Sequence, residues 1–230
     1  MSAVLLDMGV VEYSEALEFQ RRLAEKRARG EVSDTLILLE HPHVITLGRK
    51  TSPGNFKPQG VPVFEVERGG DATYHGPGQL VGYPVVRLPT PNVQRFVRDL
   101  EEVLIQATRT YSIDSVRVEG HPGVWVGGRK VASIGVAVTN WVTYHGFALN
   151  VNTDLSYFRL IKPCGLDPEK ITSMKEVLGR EVSFEDVKAE VVSRFAEVFG
   201  YDLQELPSGR ELSPPQACGQ IEELNQLREE

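Results

Sequence analysis

A single domain of α+β class, with a mixed β-sheet flanked by helices, is the fold that three features of this sequence predict. Segments of helical periodicity and short runs rich in β-branched and aromatic residues are mixed along the chain. Two of those runs, 131–139 and 141–151, are separated by little more than Asn140. That spacing allows a hairpin but no crossover helix, so a purely parallel sheet is excluded. At 230 residues the chain is long enough for one large domain with a real core and too short for two of typical size.

Taken in order, Ser14 can cap a helix that runs through Ala28, with Leu17, Leu23 and Ala24 on its apolar side and Gly30 ending it. Strand-like runs follow at TLILL (35–39), VFEV (63–66) and LVGYPVV (80–86). Asn92 starts an amphipathic helix that turns Phe96, Val97, Leu100, Val103, Leu104 and Ala107 toward the core. GVWV (123–126) is a further strand, and VASIGVAVT and WVTYHGFALNV form the hairpin about Asn140. A third helix begins at Ser183, with Asp186 as its capping-box partner, and continues through Val187, Val191 and Phe195 to Gly200. From Leu206 to Gly219 the composition shifts to Pro, Ser and Gly. This divides the chain into a main domain, 1–206, and a segment, 207–230, made of a linker and a short acidic C-terminal helix.

Charge and composition remove several function classes. A net charge of −7 argues against general nucleic-acid binding, which needs a basic surface to neutralise phosphates. No apolar run approaches a membrane span, and the N-terminus lacks a basic region followed by an apolar one, so no membrane association and a cytoplasmic location are expected. Two cysteines, Cys164 and Cys218, cannot make a disulfide framework. The five histidines are scattered, and His41 with His43 lacks further ligands at a zinc-like spacing, so no metal site is expected.

Three segments carry candidate chemistry. In 68–84, RGGDATYHGPGQLVGYP, glycines that allow close backbone approach alternate with Arg68, Tyr74, His75 and Gln79, although a long turn before a strand would have a similar composition. In GGRKVASIG, Lys130 stands at the mouth of a strand built from Val131, Ile134 and Val136, where a lysine is ordinarily a solvated strand end. In KPCGL, Cys164 lies between Pro163 and Gly165, a poor setting for a core-filling sulfur.

In order and approximate spacing, LEHPHVITLGRK, RGGDATYHGPGQLVGYP, GRKVASIGV, HGFALNVN and PCG resemble the lipoyl(octanoyl) transferases of the lipoate biosynthesis pathway, over about 36–173. The resemblance implies the catalytic-domain fold shared with biotin and lipoate protein ligases, and makes 1–206 the octanoyltransferase catalytic domain. It implies transfer of an octanoyl group from octanoyl-acyl carrier protein to one lysine of a lipoate-dependent subunit, the first step of endogenous protein lipoylation. The acceptors would be lipoyl domains of 2-oxoacid dehydrogenase subunits and the glycine cleavage H protein. Carried over by position, the acyl-thioester cysteine is Cys164, and the lysine that lowers its pKa is Lys130. The substrate-binding residues would be Arg68, Gly69, Gly70, Asp71, Ala72, Thr73, Tyr74 and His75, then Ser133, Ile134 and Gly135, then Gly146, Phe147 and Ala148.

The chemistry follows from the thiol. A cysteine of ordinary pKa, about 8.5, is only a few per cent thiolate at neutral pH, and the thiolate is the nucleophile. An ammonium about 4 Å away contributes roughly 4 kcal/mol at an effective dielectric near 20, whereas lowering a pKa by two units needs about 2.7 kcal/mol. No cofactor is expected, because a thioester is already activated. Gly135, Ala148 and Leu166 are candidates to line an acyl pocket, where an eight-carbon tail gains on the order of 5 kcal/mol before immobilisation costs. An acidic carrier needs a local positive patch, for which the sequence offers the 21–29 helix and Arg49 with Lys50; Arg49 is the better candidate, and the helix reads as a solvated face. Three alternatives stand beside this reading. They are an ATP-using lipoate or biotin ligase, a cysteine hydrolase pairing Cys164 with His75 or His145, and an acyl-binding module without activity.

Overall fold

The computed structural model describes residues 1–52, 54–162, 167–206, 216, 217 and 219–222. Among them eleven strands and four α-helices follow in the order β1 (Ser2–Val10), α1 (Tyr13–Arg29), β2 (Thr35–Glu40), β3 (Val44–Leu47), β4 (Val63–Glu65), β5 (Thr73–His75), β6 (Gln79–Val85), α2 (Val93–Arg109), β7 (Val116–Val118), β8 (His121–Val126), β9 (Arg129–Thr139), β10 (Val142–Asn150), α3 (Met174–Leu178), α4 (Phe184–Phe199) and β11 (Asp202–Glu205). Eight strands form a mixed sheet ordered β11-β1-β2-β6-β10-β9-β8-β7, and β4-β3-β5 form a smaller one. In the large sheet β1 runs parallel to β2 and β11, and every other pairing is antiparallel.

Strand periodicity of two explains how this sheet is buried on both faces. Leu36 and Leu38 of β2, Leu80 of β6 and Phe147 and Leu149 of β10 meet Phe96, Leu100 and Leu104 of α2 and Val187, Val191 and Phe195 of α4. The intervening residues Ile37, Leu39, Val81, Tyr83 and Ala148 face the other way, against Ala16, Phe19 and Leu23 of α1. Ala217 and Ile221, from the 207–230 segment, are fully buried in this second cluster, and Glu222 pairs with Lys26 of α1.

The sequence reading of the caps holds for two helices and fails for the first. Asn92 Oδ1 accepts from Arg95 N at 2.9 Å, and Ser183 Oγ accepts from Asp186 N at 3.3 Å, while Gly200 closes α4 in the left-handed conformation, φ 68°. Helix α1 does not start at Ser14. It begins at Tyr13, with Glu12 at the cap making no side-chain hydrogen bond. Packing fixes this end instead, because Tyr13 is buried against Leu17, Val44 and Val66. The hairpin is as expected: Asn140 and Trp141, φ 47° and 62°, make the two-residue turn that joins Thr139 to Val142. Strands β1, β3, β5, β7 and β11 go beyond the runs read from the sequence. In β1 the continuous apolar run suits helix or strand equally, and the partners that decide it, β2 and β11, lie far along the chain.

Candidate functional site

The site is built where the 68–70 loop crosses the face of β9. Gly69 N donates to Val136 O at 3.1 Å, and the approach is close enough that a Cβ on Gly135 would stand 3.1 Å from Gly69 O and 3.2 Å from Arg68 Cδ. The Arg68 guanidinium is buried and ties this loop to β3, with Nη2 donating to Thr46 O at 2.8 Å and to Thr46 Oγ1 at 2.9 Å.

One cavity gathers most of the sequence-predicted residues. Arg68, Gly69, Gly70, Thr73 and His75 line it from one side, and Ser133, Ile134, Gly135, Gly146, Phe147 and Ala148 from the other. Asp71, Ala72 and Tyr74 are not part of that lining. Strand alternation turns Thr73 and His75 toward the cavity and their neighbours away. Tyr74 is fully buried in the small core, its hydroxyl bonded to His43 Nδ1 at 2.8 Å and its ring stacked on Tyr157. Ala72 is in the same core, and Asp71 accepts from Asn55 Nδ2 and Ala72 N. Three further residues line the cavity: Tyr13, Tyr83 and His145. Tyr83 was legible as the inward-facing residue two positions beyond Val81. Tyr13, some sixty residues before Thr73 on a helix, offered no sequence signal.

Two buried imidazoles, His75 and His145, line this cavity and a third, His41, is bonded to its lining residue Tyr83; burial lowers the pKa of all three and favours the neutral form. His41 donates from Nδ1 to Val11 O at 2.7 Å, so its Nε2 must accept from Tyr83 Oη, also at 2.7 Å; burial pushes its pKa down to about 4. His75 gives its Nδ1 proton to Gln79 Oε1 at 2.7 Å, and burial, reinforced by His41, pushes it down to about 3. His145 is lowered to about 4 by burial and then by Arg68. It also adopts φ 56° inside a strand, its N–H donates to Gln20 Oε1, and its Nε2 stands 3.7 Å from Glu67 Oε2, beyond hydrogen-bonding distance.

Lys130, the second residue of β9, is 4% exposed rather than solvated. Its Nζ sits 5.3 Å above the centre of the Trp125 ring, a cation–π contact. Gly123 on β8 makes room for it: at φ 129° a Cβ there would stand 2.7 Å from Lys130 Cε and overlap Ala132 O. Cys164 lies outside the described residues, as do Pro163, Gly165, Leu166 and Cys218. The chain on either side of 163–166 is anchored. Lys162 N donates to Asn55 O at 2.8 Å and Ile161 bridges to Phe56, while Ile171 bridges to Lys130 and Thr172 N donates to Lys130 O at 2.9 Å. A buried polar chain joins that second anchor to the cavity. His75 donates to Gln79, Gln79 Nε2 donates to Asn150 Oδ1 at 2.8 Å, and Asn150 Nδ2 donates to Thr172 O at 2.9 Å.

Among the described residues no group of His, Cys, Asp and Glu could hold a metal ion, and no helix is long and apolar enough to cross a membrane. A broader surface depression between α2 and the β7–β8 edge contains none of the sequence-predicted residues.

Residues 12–196 match the family model of the lipoyl protein ligase A/B catalytic domain. The chain is 48% identical over 201 residues to an octanoyltransferase of Rubrobacter xylanophilus, covering 84% of this chain and 91% of that one. Its fold is similar to that of a putative lipoate protein ligase of T. acidophilum with bound lipoic acid, TM-score 0.70 at 16% identity, covering 96% of each chain. It is also similar to biotin protein ligase of Aquifex aeolicus, TM-score 0.51 at 16% identity, covering 96% of this chain and 76% of that one. These likenesses extend to the ligases the fold class expected from the sequence.

Proposed function

The chain belongs to the octanoyltransferase family, and from that premise we propose that it moves an octanoyl group from octanoyl-acyl carrier protein to a specific lysine of a lipoyl domain, through a thioester on Cys164. The observation that carries this reading is the buried side chain of Lys130, whose backbone is hydrogen-bonded to the segment that follows Cys164. In its protonated form a lysine in water would be screened; in a buried setting it favours a neighbouring anion strongly.

The Cys164 thiolate attacks the carbonyl of the carrier thioester. A new C–S bond forms, the carrier C–S bond breaks, and a proton from Lys130 neutralises the departing thiolate, leaving Lys130 neutral. Backbone N–H groups stabilise the oxyanion. The acceptor amine then attacks the acyl-enzyme, the Cys164 sulfur departs, and the neutral Lys130 takes the amine proton, restoring the starting charges. The octanoyl tail occupies the cavity between 68–70 and 133–135, where Ile134, Phe147 and Ala148 supply apolar surface.

Identity favours transfer over the ATP-using reading, because the 48% relative is a transferase and the ligases share the fold at 16%. The test is intact mass of the purified protein after exposure to octanoyl-carrier, with peptide mapping. One octanoyl adduct on Cys164, discharged by an acceptor domain, is expected. A Cys164→Ala protein that transfers at the native rate, or transfer that requires ATP and free octanoate, would overturn the proposal.

A further inference from the structure

Cations in this acidic chain are sorted by place. On α1, Arg21 pairs with Glu67, Arg22 with Glu18, Lys26 with Glu222, Arg27 with Asp34 and Arg29 with Glu31, so the helix presents little free charge. Segments 48–58 and 159–162 differ. They hold Arg49, Lys50, Lys57, Arg159 and Lys162 and no acidic residue, a charge of +5 that leaves −12 over the rest of a chain whose total is −7. All five are exposed, and none forms an ion pair among the described residues. Three acids of neighbouring segments are engaged locally: Asp71 with Asn55 and Ala72 N, Asp154 with Ser156 N, and Asp167 with Glu169 N.

The two segments form one surface at the mouth of the site. Lys57 N donates to Leu160 O at 2.7 Å and Lys162 N to Asn55 O at 2.8 Å, which joins them to each other. Arg49 N donates to Arg68 O at 3.1 Å and Lys50 N to Gly70 O at 2.9 Å, which joins them to the loop lining the cavity. Lys162 also stands two positions before Cys164.

We propose that this basic rim docks the protein that delivers the acyl thioester, and that it does not dock the acceptor; the inference rests on the donor reading above. Charge decides between the two. The donor is an acidic carrier whose prosthetic arm brings a phosphodiester to the mouth of the site, and both features are attracted to five exposed cations. The acceptor presents a lysine ammonium, which the same cations repel. Such a rim raises the local concentration of donor and acts chiefly on encounter, so its effect falls as salt rises.

The test compares Lys57→Glu/Arg159→Glu with a control of the same net charge change at remote exposed sites, Arg109→Glu/Arg180→Glu. Each protein is assayed at low and high ionic strength with octanoyl-carrier protein and with octanoyl-N-acetylcysteamine, a neutral thioester lacking phosphate. For the rim variant we expect KM for the carrier to rise about tenfold at low salt, with the difference narrowing at high salt. Turnover of the small thioester and KM for the acceptor domain should stay within about twofold, and the control should match the parent protein. Equal losses with both donors, an equal loss in the control, or a rise in acceptor KM alone would overturn the rim assignment. A parent protein acylated by neither thioester would instead remove the donor reading on which it rests.

Discussion

A methyl group placed at Gly123 tests the Lys130 arrangement without touching the lysine itself. Gly123→Ala carries three penalties. A non-glycine residue at φ 129° costs about 1–3 kcal/mol of strain, the new Cβ would overlap Ala132 O so that the β8–β9 backbone must shift, and at 2.7 Å from Lys130 Cε it must push that side chain aside. On the proposal that Lys130 acts on the Cys164 sulfur from about 4 Å, a retreat to about 6 Å would lower its attraction at an effective dielectric near 20 from ~4.2 to ~2.8 kcal/mol. That ~1.4 kcal/mol equals about one pKa unit, or roughly a tenfold loss of thiolate at any pH well below the thiol's pKa. Gly120→Ala is the matched control, because Gly120 also has positive φ, 76°, but no atom lies within 4 Å of the point its methyl would occupy. The assay is the rate of Cys164 alkylation by iodoacetamide against pH, alongside thermal stability. Both variants should lose stability, and only Gly123→Ala should move the alkylation curve upward by about one pH unit. Identical curves for the two variants would refute the assignment of Lys130 as the group that favours the thiolate.

Two further outcomes follow from buried groups. His41, His75 and His145, with folded values of about 4, 3 and 4, lie below the unfolded value near 6.5, so the unfolded chain binds the extra protons and stability falls as pH drops from 6.5 toward 4. At about pH 5 each contributes a loss of roughly 2 kcal/mol, and urea midpoints unchanged between about pH 7 and about pH 5 would contradict neutral burial. Asn150→Ala leaves Thr172 O without its Asn150 donor, at roughly 1–3 kcal/mol, takes from Gln79 Nε2 one of its two acceptors, the other being Tyr74 O, and loosens the anchor after Cys164. We expect a lower thermal midpoint and a lower kcat with KM for the acceptor unchanged; a kcat equal to the parent's would separate that chain from the site.

The candidate site was legible to the extent that local motifs carry it. The glycines of 68–70, 135 and 146 mark close backbone approach, and the structure gathers them around one cavity. Asp71, Ala72 and Tyr74 belong to the same motif, yet strand alternation turns Ala72 and Tyr74 into the small core, a distinction the motif as a string does not express. Tyr13 and the Glu67–His145 approach were not legible, since each depends on α1 or the 66–68 segment meeting β10 across long stretches of chain. The cap at Ser14 failed for a related reason: side-chain capping is a local preference, and burial of Tyr13 outweighs it.

By itself the sequence determined the class of fold, the Asn140 hairpin, two helix caps and the set of chemically able residues, because turn chemistry, periodicity and residue type act over a few positions. Only the tertiary structure decided that Lys130 is buried against the Trp125 ring, that the cations of α1 are paired with acids while those of 48–58 and 159–162 find no ion pair among the described residues, and that β1 joins β2 to β11. Burial, ion pairing and strand partnership are relations between distant segments, and their energies exist only once the chain has brought those segments together.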